Sequence, residues 1–327
     1  MRATVAYLAD RHRVELREES LEPREDQVLV RIAACGICRG DVDLFSREQD
    51  SPRPFGHEPV GRIVALGPWV TGLSEGDWVV GCISGSFATH VLARADEVYR
   101  VPPELGDAAC LAEPLKCVTT VLRAARPDFG DVVVVMGCGF MGLSVVAALR
   151  EGWQRALIAV DPIETRRSLA TSFGASHVLG AEKDVAKQIR ALTDGRGADV
   201  AIEFTGDPDV PGLAGRLLRP RGRLVLGGGY SPRENLYFRA ITAHHVPPAF
   251  SPNEGDDFVR AIDALARGRF PGARLVTHRR GLTEIQPALE SARDDPDYIK
   301  GIILNDVSEN SGVGAASGPA RRGEGGP

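Results

Sequence analysis

The amino-acid sequence predicts an α/β protein in which a β-rich lobe precedes a doubly wound parallel sheet. Three observations carry that expectation. The chain has 327 residues, more than one average domain of about 150. Hydrophobic residues make up 43% and charged residues 25%, the balance of a folded globular chain that can bury a sizeable core. At Val132 the pattern changes from short β-rich segments punctuated by Gly and Pro to apolar runs alternating with helical stretches, as a parallel sheet requires.

Taken in order, the first 120 residues offer strands at 27–33, 61–66, 78–81 and 87–92, each bounded by turn-forming residues. Residues 132–149 form an uncharged run of 18, the length at which a membrane helix becomes a candidate. Gly137, Gly139 and Gly142 interrupt it, and Val132-Val133-Val134-Val135-Met136 is β-branched like a buried parallel strand. The run therefore reads as strand, turn and helix. Further strands are expected at 156–160, 198–203 and 223–226, with helices at 164–173, 185–193 and 210–218 between them. Beyond residue 250, Phe258, Ile262 and Leu265 follow helical spacing within 256–267, and a helix at 283–292 leads to a strand at 301–304. Residues 307–327 lose all periodicity and read as a disordered tail.

Composition also narrows function. The net charge of -5, from 39 basic and 44 acidic residues, offers no positive field for a phosphate backbone, so nucleic acid is not an expected partner. Six cysteines in a chain whose core needs no disulfide frame point to a reducing cytoplasm. Residues 1–8 carry no long apolar stretch, so neither secretion nor a membrane anchor is expected.

Two clusters carry chemistry. Gly137-Cys138-Gly139-Phe140-Met141-Gly142 is a GxGxxG pattern placed between a strand and an apolar helix, and Asp161 ends the next strand 19 residues after Gly142. That is the arrangement of a dinucleotide site: the glycines admit the pyrophosphate to the helix amino end, and the carboxylate accepts from the ribose hydroxyls. Asp161 repels a 2′-phosphate and so favours NAD over NADP, although Arg166 and Arg167 follow on the next helix. The second cluster is Cys38, His57, Glu58 and Glu113. One thiolate, one imidazole and one or two carboxylates suit an open zinc site. The Cys35-Gly36-Ile37-Cys38 spacing has no second CxxC to complete a structural zinc ribbon, and it lies outside any βαβ unit.

In this order, Gly36-Ile37-Cys38-Arg39-Gly40-Asp41, Gly56-His57-Glu58-Pro59-Val60-Gly61, Gly76-Asp77-Trp78-Val79, Ala112-Glu113-Pro114-Leu115 and the glycine-rich turn resemble the medium-chain dehydrogenase/reductases. The resemblance is to their zinc-dependent alcohol and polyol branch, over residues 1–306. It implies a GroES-like catalytic domain, residues 1–120 plus 251–306, with a Rossmann domain, residues 121–250, inserted. It implies one catalytic zinc held by Cys38 and His57, with Glu113 as third ligand and Glu58 binding directly or exchanging with water. Asp41 would then orient His57. Gly137, Gly139, Phe140, Met141, Gly142 and Asp161 would hold the dinucleotide. Arg39 and Lys300 would contact its pyrophosphate, Arg166 would lie near the adenosine ribose, and Cys117 would line the nicotinamide.

The same resemblance implies a homodimer or homotetramer acting on a small molecule, by hydride exchange between NAD and a secondary alcohol of a polyol, sugar or (amino)cyclitol in specialised metabolism. Two departures stand out. Cys82-Ile83-Ser84-Gly85-Ser86 replaces the four-cysteine lobe that holds a structural zinc in many relatives. Gly40 occupies the place of a hydroxyl that passes on the alcohol proton, and Asp43 that of a relay histidine. Loss of the relay opens a second expectation, reduction of a C=N or conjugated C=C bond on the same fold. A third is a catalytically silent nucleotide-binding protein.

Overall fold

The computed structural model describes residues 1–228, 242–245 and 254–305, so the tail expected over 307–327 lies outside the described residues. The first lobe contains β1 (Arg2–Asp10), β2 (Arg13–Ser20), β3 (Gln27–Gly36), α1 (Arg39–Phe45), β4 (Arg53–Pro54), β5 (Glu58–Leu66), β6 (Trp78–Gly81), β7 (His90–Arg94) and β8 (Val98–Arg100). A 3-10 segment, Pro103–Leu111, leads to α2 (Ala112–Ala125). Next come β9 (Val132–Met136), α3 (Phe140–Leu149), β10 (Ala156–Val160), α4 (Glu164–Ser172), β11 (His177–Leu179) and α5 (Val185–Leu192). They are followed by β12 (Ala198–Glu203), α6 (Val210–Leu217), β13 (Leu218–Leu226) and β14 (Thr242–His245). The described chain closes with α7 (Glu254–Ala266), β15 (His278–Gly281), α8 (Ile285–Asp294) and β16 (Gly301–Leu304).

Strands β9 to β14 form one parallel sheet in the order β11-β10-β9-β12-β13-β14. The order reverses at β9, which places a crevice at the carboxyl ends of the central strands. All five residues of β9 are buried. Val133 and Val135 enter one core, and Val132, Val134 and Met136 the other, as the two-residue period of a strand with helices on both faces demands. Each such side chain contributes about 1.5–3 kcal/mol relative to exposure.

The other large sheet is centred on β3, which pairs with β5 along one edge and with β7 and β16 end to end along the other. The carboxyl-terminal strands β15 and β16 thus complete the sheet begun by the amino-terminal lobe. Helix α7 packs on α2, where Asp257 accepts from Thr120 Oγ1 and Arg123 Nη1, both at 2.6 Å. This combination is a Rossmann-like parallel sheet beside a GroES-like mixed sheet. Among the described residues no helix is long and apolar enough to cross a membrane.

Local reading and structure part in a few places. The strand expected at 87–92 begins at His90. Phe87 instead plugs the core edge-on to Phe55, with ring centroids 4.9 Å apart, so its hydrophobicity reported burial rather than extension. Helix α2 escaped notice because Pro114 and the β-branched Val118, Thr119, Thr120 and Val121 weaken its helical signature. Pro114 sits in the first turn, where its missing N–H breaks no helical hydrogen bond.

Candidate functional site

Cys38 lies at the amino end of α1. Its Sγ accepts from Gly40 N at 3.4 Å, while Asp41 Oδ2 accepts from Cys38 N at 2.9 Å. His57 follows Gly56, whose φ of +87° and proximity to the Phe87 ring leave no room for a side chain. Glu58 opens β5 opposite Gly36 of β3. A Cβ at Gly36 would stand 1.9 Å from Glu58 Oε2, so that glycine clears the carboxylate. Together these turns bring ligand atoms of Cys38, His57 and Glu58 within 4.8 Å of one another, the one such group among the described residues.

The surroundings fit a divalent metal. Glu58 Oε2 accepts from Lys300 Nζ at 2.5 Å, and Lys300 also donates to Ile37 O at 2.9 Å. The other oxygen, Glu58 Oε1, is buried and has no hydrogen-bond partner, a costly state for a carboxylate unless an ion meets it. A thiolate, an imidazole and that oxygen form the donor set of an open zinc site. His57 Nδ1 lies 3.5 Å from Asp41 Oδ1, which orients the ring.

Burial lowers the His57 pKa, but contacts with Asp41 and Cys38 outweigh it and hold the imidazole up at about 12. Burial raises the Cys38 thiol, and His57 only partly offsets this. Burial also raises the Glu58 carboxyl against the pull of Lys300, and the nearby Glu113 charge adds to the rise. Burial would lower the Lys300 ammonium, yet Glu58 and Cys38 keep it well above the usual lysine range.

Glu113, in the first turn of α2, stands outside the three-residue group. Its carboxylate is paired with Lys116 Nζ at 3.2 Å. Cys117 is buried one turn later, its thiol raised by burial and then by Glu113. Gly40 has room for a side chain, since a Cβ there would meet Cys38 Sγ at 3.8 Å. Asp43 is engaged by Arg39 Nε at 3.1 Å. Arg39 itself is largely exposed. Sequence reasoning overlooked Lys116. The available signal was a lysine three residues after a candidate ligand in a chain with only four lysines.

The glycine-rich turn is shaped for a phosphate. Gly137 adopts φ +85°, a Cβ on Gly142 would stand 1.9 Å from Gly137 O, and one on Gly139 would meet nothing within 4 Å. Gly137 and Gly142 close the turn, and Gly139 leaves an open cradle at the amino end of α3, which has no side-chain cap. Phe140 is buried and Met141 half-buried beside it. Asp161 is 2% exposed and accepts from Cys138 N at 2.7 Å and Ile163 N at 2.8 Å. Arg166 reaches across to the carboxyl-terminal lobe, donating through Nη2 to Pro296 O at 3.3 Å and Tyr298 O at 3.5 Å. Arg167 Nη1 donates to Asp161 O and Pro162 O, both at 2.8 Å.

Lys300 joins the two clusters. Its Nζ pairs with Glu58 and also lies 4.9 Å from the centroid of the Phe140 ring, so the metal-ligating group borders the nucleotide cradle.

Residues 137–267 match the model of the zinc-binding dehydrogenases, and residues 24–103 that of the alcohol dehydrogenase GroES-like domain. An L-threonine 3-dehydrogenase of Bacillus licheniformis is 32% identical, over 82% of this chain and 88% of that protein. An erythritol/L-threitol dehydrogenase of Mycolicibacterium smegmatis is 28% identical, over 88% and 94%. Among solved structures, an alcohol dehydrogenase from Escherichia coli in complex with NADH superposes with a TM-score of 0.83 at 20% identity, covering 93% of this chain and 99% of that one.

Proposed function

Because this chain belongs to the zinc-binding dehydrogenases of the medium-chain dehydrogenase/reductase superfamily, we propose that it transfers a hydride between NAD(H) and a secondary alcohol or its ketone in a polyol, sugar or (amino)cyclitol. The observation that carries the reading is the position of Lys300 between Glu58 and Phe140, which sets the Cys38, His57 and Glu58 group against the cradle. When bound, zinc supplies a Lewis acid for the substrate oxygen and NAD supplies the hydride acceptor.

The chain's own residues supply position. Cys38, His57 and Glu58 would hold the metal, Asp41 the His57 ring, and the α3 amino end the pyrophosphate. Asp161 would receive the ribose hydroxyls. NADP is the poorer fit, because Arg166 and Arg167 already donate to main-chain carbonyls and Asp161 opposes a phosphate. Arg39, which is exposed, and Cys117 are proposed cofactor contacts. Lys300 would act on the pyrophosphate through charge, since its hydrogen bonds go to Glu58 and Ile37. The catalytic domain is proposed to comprise residues 1–120 and 251–306, and the nucleotide domain residues 121–250. Assembly into a homodimer or homotetramer would use an edge of the parallel sheet, and the cytoplasm is the proposed location.

The relatives support the substrate class. L-Threonine and erythritol, named for two of them, both carry a second heteroatom beside a secondary alcohol. Such a neighbour suits a site where Gly40 offers no hydroxyl and Asp43 is engaged by Arg39, because it can pass the alcohol proton to water itself. A screen of polyols, sugars, amino alcohols and aminocyclitols with NAD and with NADP, followed by reduced-nicotinamide absorbance, tests this reading. Turnover of simple monoalcohols in preference to vicinally substituted ones would refute the substrate class. Gly40 also favours a second reading, reduction of a C=N or conjugated C=C bond. With Gly40→Ser, faster alcohol oxidation supports the alcohol reading, whereas an unchanged rate fits either a proton path through the substrate or a double-bond reduction, which NADH oxidation with imine and enone substrates then separates.

A further inference from the structure

Lysine is rare in this chain, four among 39 basic residues, yet Lys116 and Lys300 are only 1% and 3% exposed. A buried ammonium is expensive unless it is paired. Each pairs with one of the two glutamates near the metal-ligating group, Lys300 with Glu58 and Lys116 with Glu113. The outcomes differ. Glu58 keeps a buried oxygen without a partner inside the ligand group, whereas Glu113 stands outside that group.

Lys116 is itself held in place. It is three residues along α2 from Glu113, and its Nζ lies 5.1 Å from the centroid of the Phe258 ring on α7. Asp257, the neighbour of Phe258, ties α7 back to α2 through Thr120 and Arg123. The ammonium therefore cannot follow Glu113 toward the metal without leaving its seat on Phe258. A move by Glu113 alone would break a buried charge pair, which is strongly destabilising.

We propose that Lys116 is a positioning residue that keeps Glu113 out of the coordination sphere, leaving Cys38, His57 and Glu58 as the protein ligands and one position open to substrate. The inference rests on the zinc-dehydrogenase reading above. Its functional point is that a fourth protein ligand would compete with substrate for the open position of a catalytic site.

Cobalt(II) in place of zinc tests it, because the visible spectrum reports ligand identity independently of turnover. Lys116→Met removes the charge and keeps an apolar chain against Phe258. The expected results are an altered cobalt spectrum as Glu113 enters the sphere, slower metal loss to a chelator, and turnover lowered about 10- to 100-fold. Adding Glu113→Gln to that variant is expected to restore the parental spectrum, a rescue that a merely structural lysine would not produce. A folded Lys116→Met protein with the parental spectrum overturns the proposal. If that variant does not fold, Glu113→Gln alone decides: an unchanged spectrum supports the outer position of Glu113, and a changed one overturns it. Parental protein that takes up no metal overturns the dehydrogenase reading and this inference with it, whereas full uptake with a changed Glu113→Gln spectrum overturns the inference only.

Discussion

The glycine-rich cradle proposed for the nucleotide and the Cys38, His57 and Glu58 group proposed for the metal adjoin at Lys300 but are built on opposite principles. The cradle comes from six consecutive residues, Gly137 to Gly142, and Asp161, and it works by clearing space around main-chain donors. The metal-ligating group gathers Cys38, His57 and Glu58 from separate turns, with Lys300 arriving from the far end of the chain, and it works through buried charges that need partners. A substitution in the first acts through volume, and one in the second through an unpaired charge. The second is therefore the more fragile.

The largest effect is expected where the donor set is broken. Cys38→Ala should lose stoichiometric zinc by elemental analysis and all metal-dependent turnover while still binding nucleotide. Loss of nucleotide binding as well would show that the two regions are not separable. Next comes Lys300→Met, which strands the Glu58 carboxylate. Removing one partner of a buried pair costs about 3–5 kcal/mol, to be read in metal-free protein as a lower denaturant midpoint. A change below about 1 kcal/mol would mean that the pair is not buried as described.

Within the cradle the contrast is between two glycines. Gly142→Ala forces a Cβ against Gly137 O and should destabilise the protein by about 1–3 kcal/mol. Gly139→Ala enters open space, so its thermal midpoint should stay within a few degrees while KM for NAD rises. Equal stability losses for both would contradict the cradle. The last effect concerns pH. His57 and Cys38 are both raised and so hold protons at neutral pH without metal, and metal must displace them. Zinc affinity should then rise with pH by up to about tenfold per unit for each proton released, measured by chelator competition between about pH 6 and 8. A flat profile would place those protons elsewhere.

Much of this architecture was readable along the chain. β6, β10, β12 and β16 fall on their expected residues, because a short apolar run between turn formers has few other ways to be buried. The strands β1 and β2 went unseen, since β2 carries Arg and Glu on an exposed ribbon whose pairing, not its hydrophobicity, makes it a strand.

Sequence alone determined the glycine-rich turn. A tight turn, a close approach and a helix start are local demands, met by residues that neighbour one another. Cys38, His57, Glu58 and Glu113 were also named from residue type and order. What tertiary structure decided is which of these come together: Cys38, His57 and Glu58 converge, Glu113 is held by Lys116, and Lys300 answers Glu58 across 242 positions. The physical reason is that the cost of a buried charge depends on where its partner lies in space, and only the packing of β16 on β3 and of α7 on α2 sets those distances.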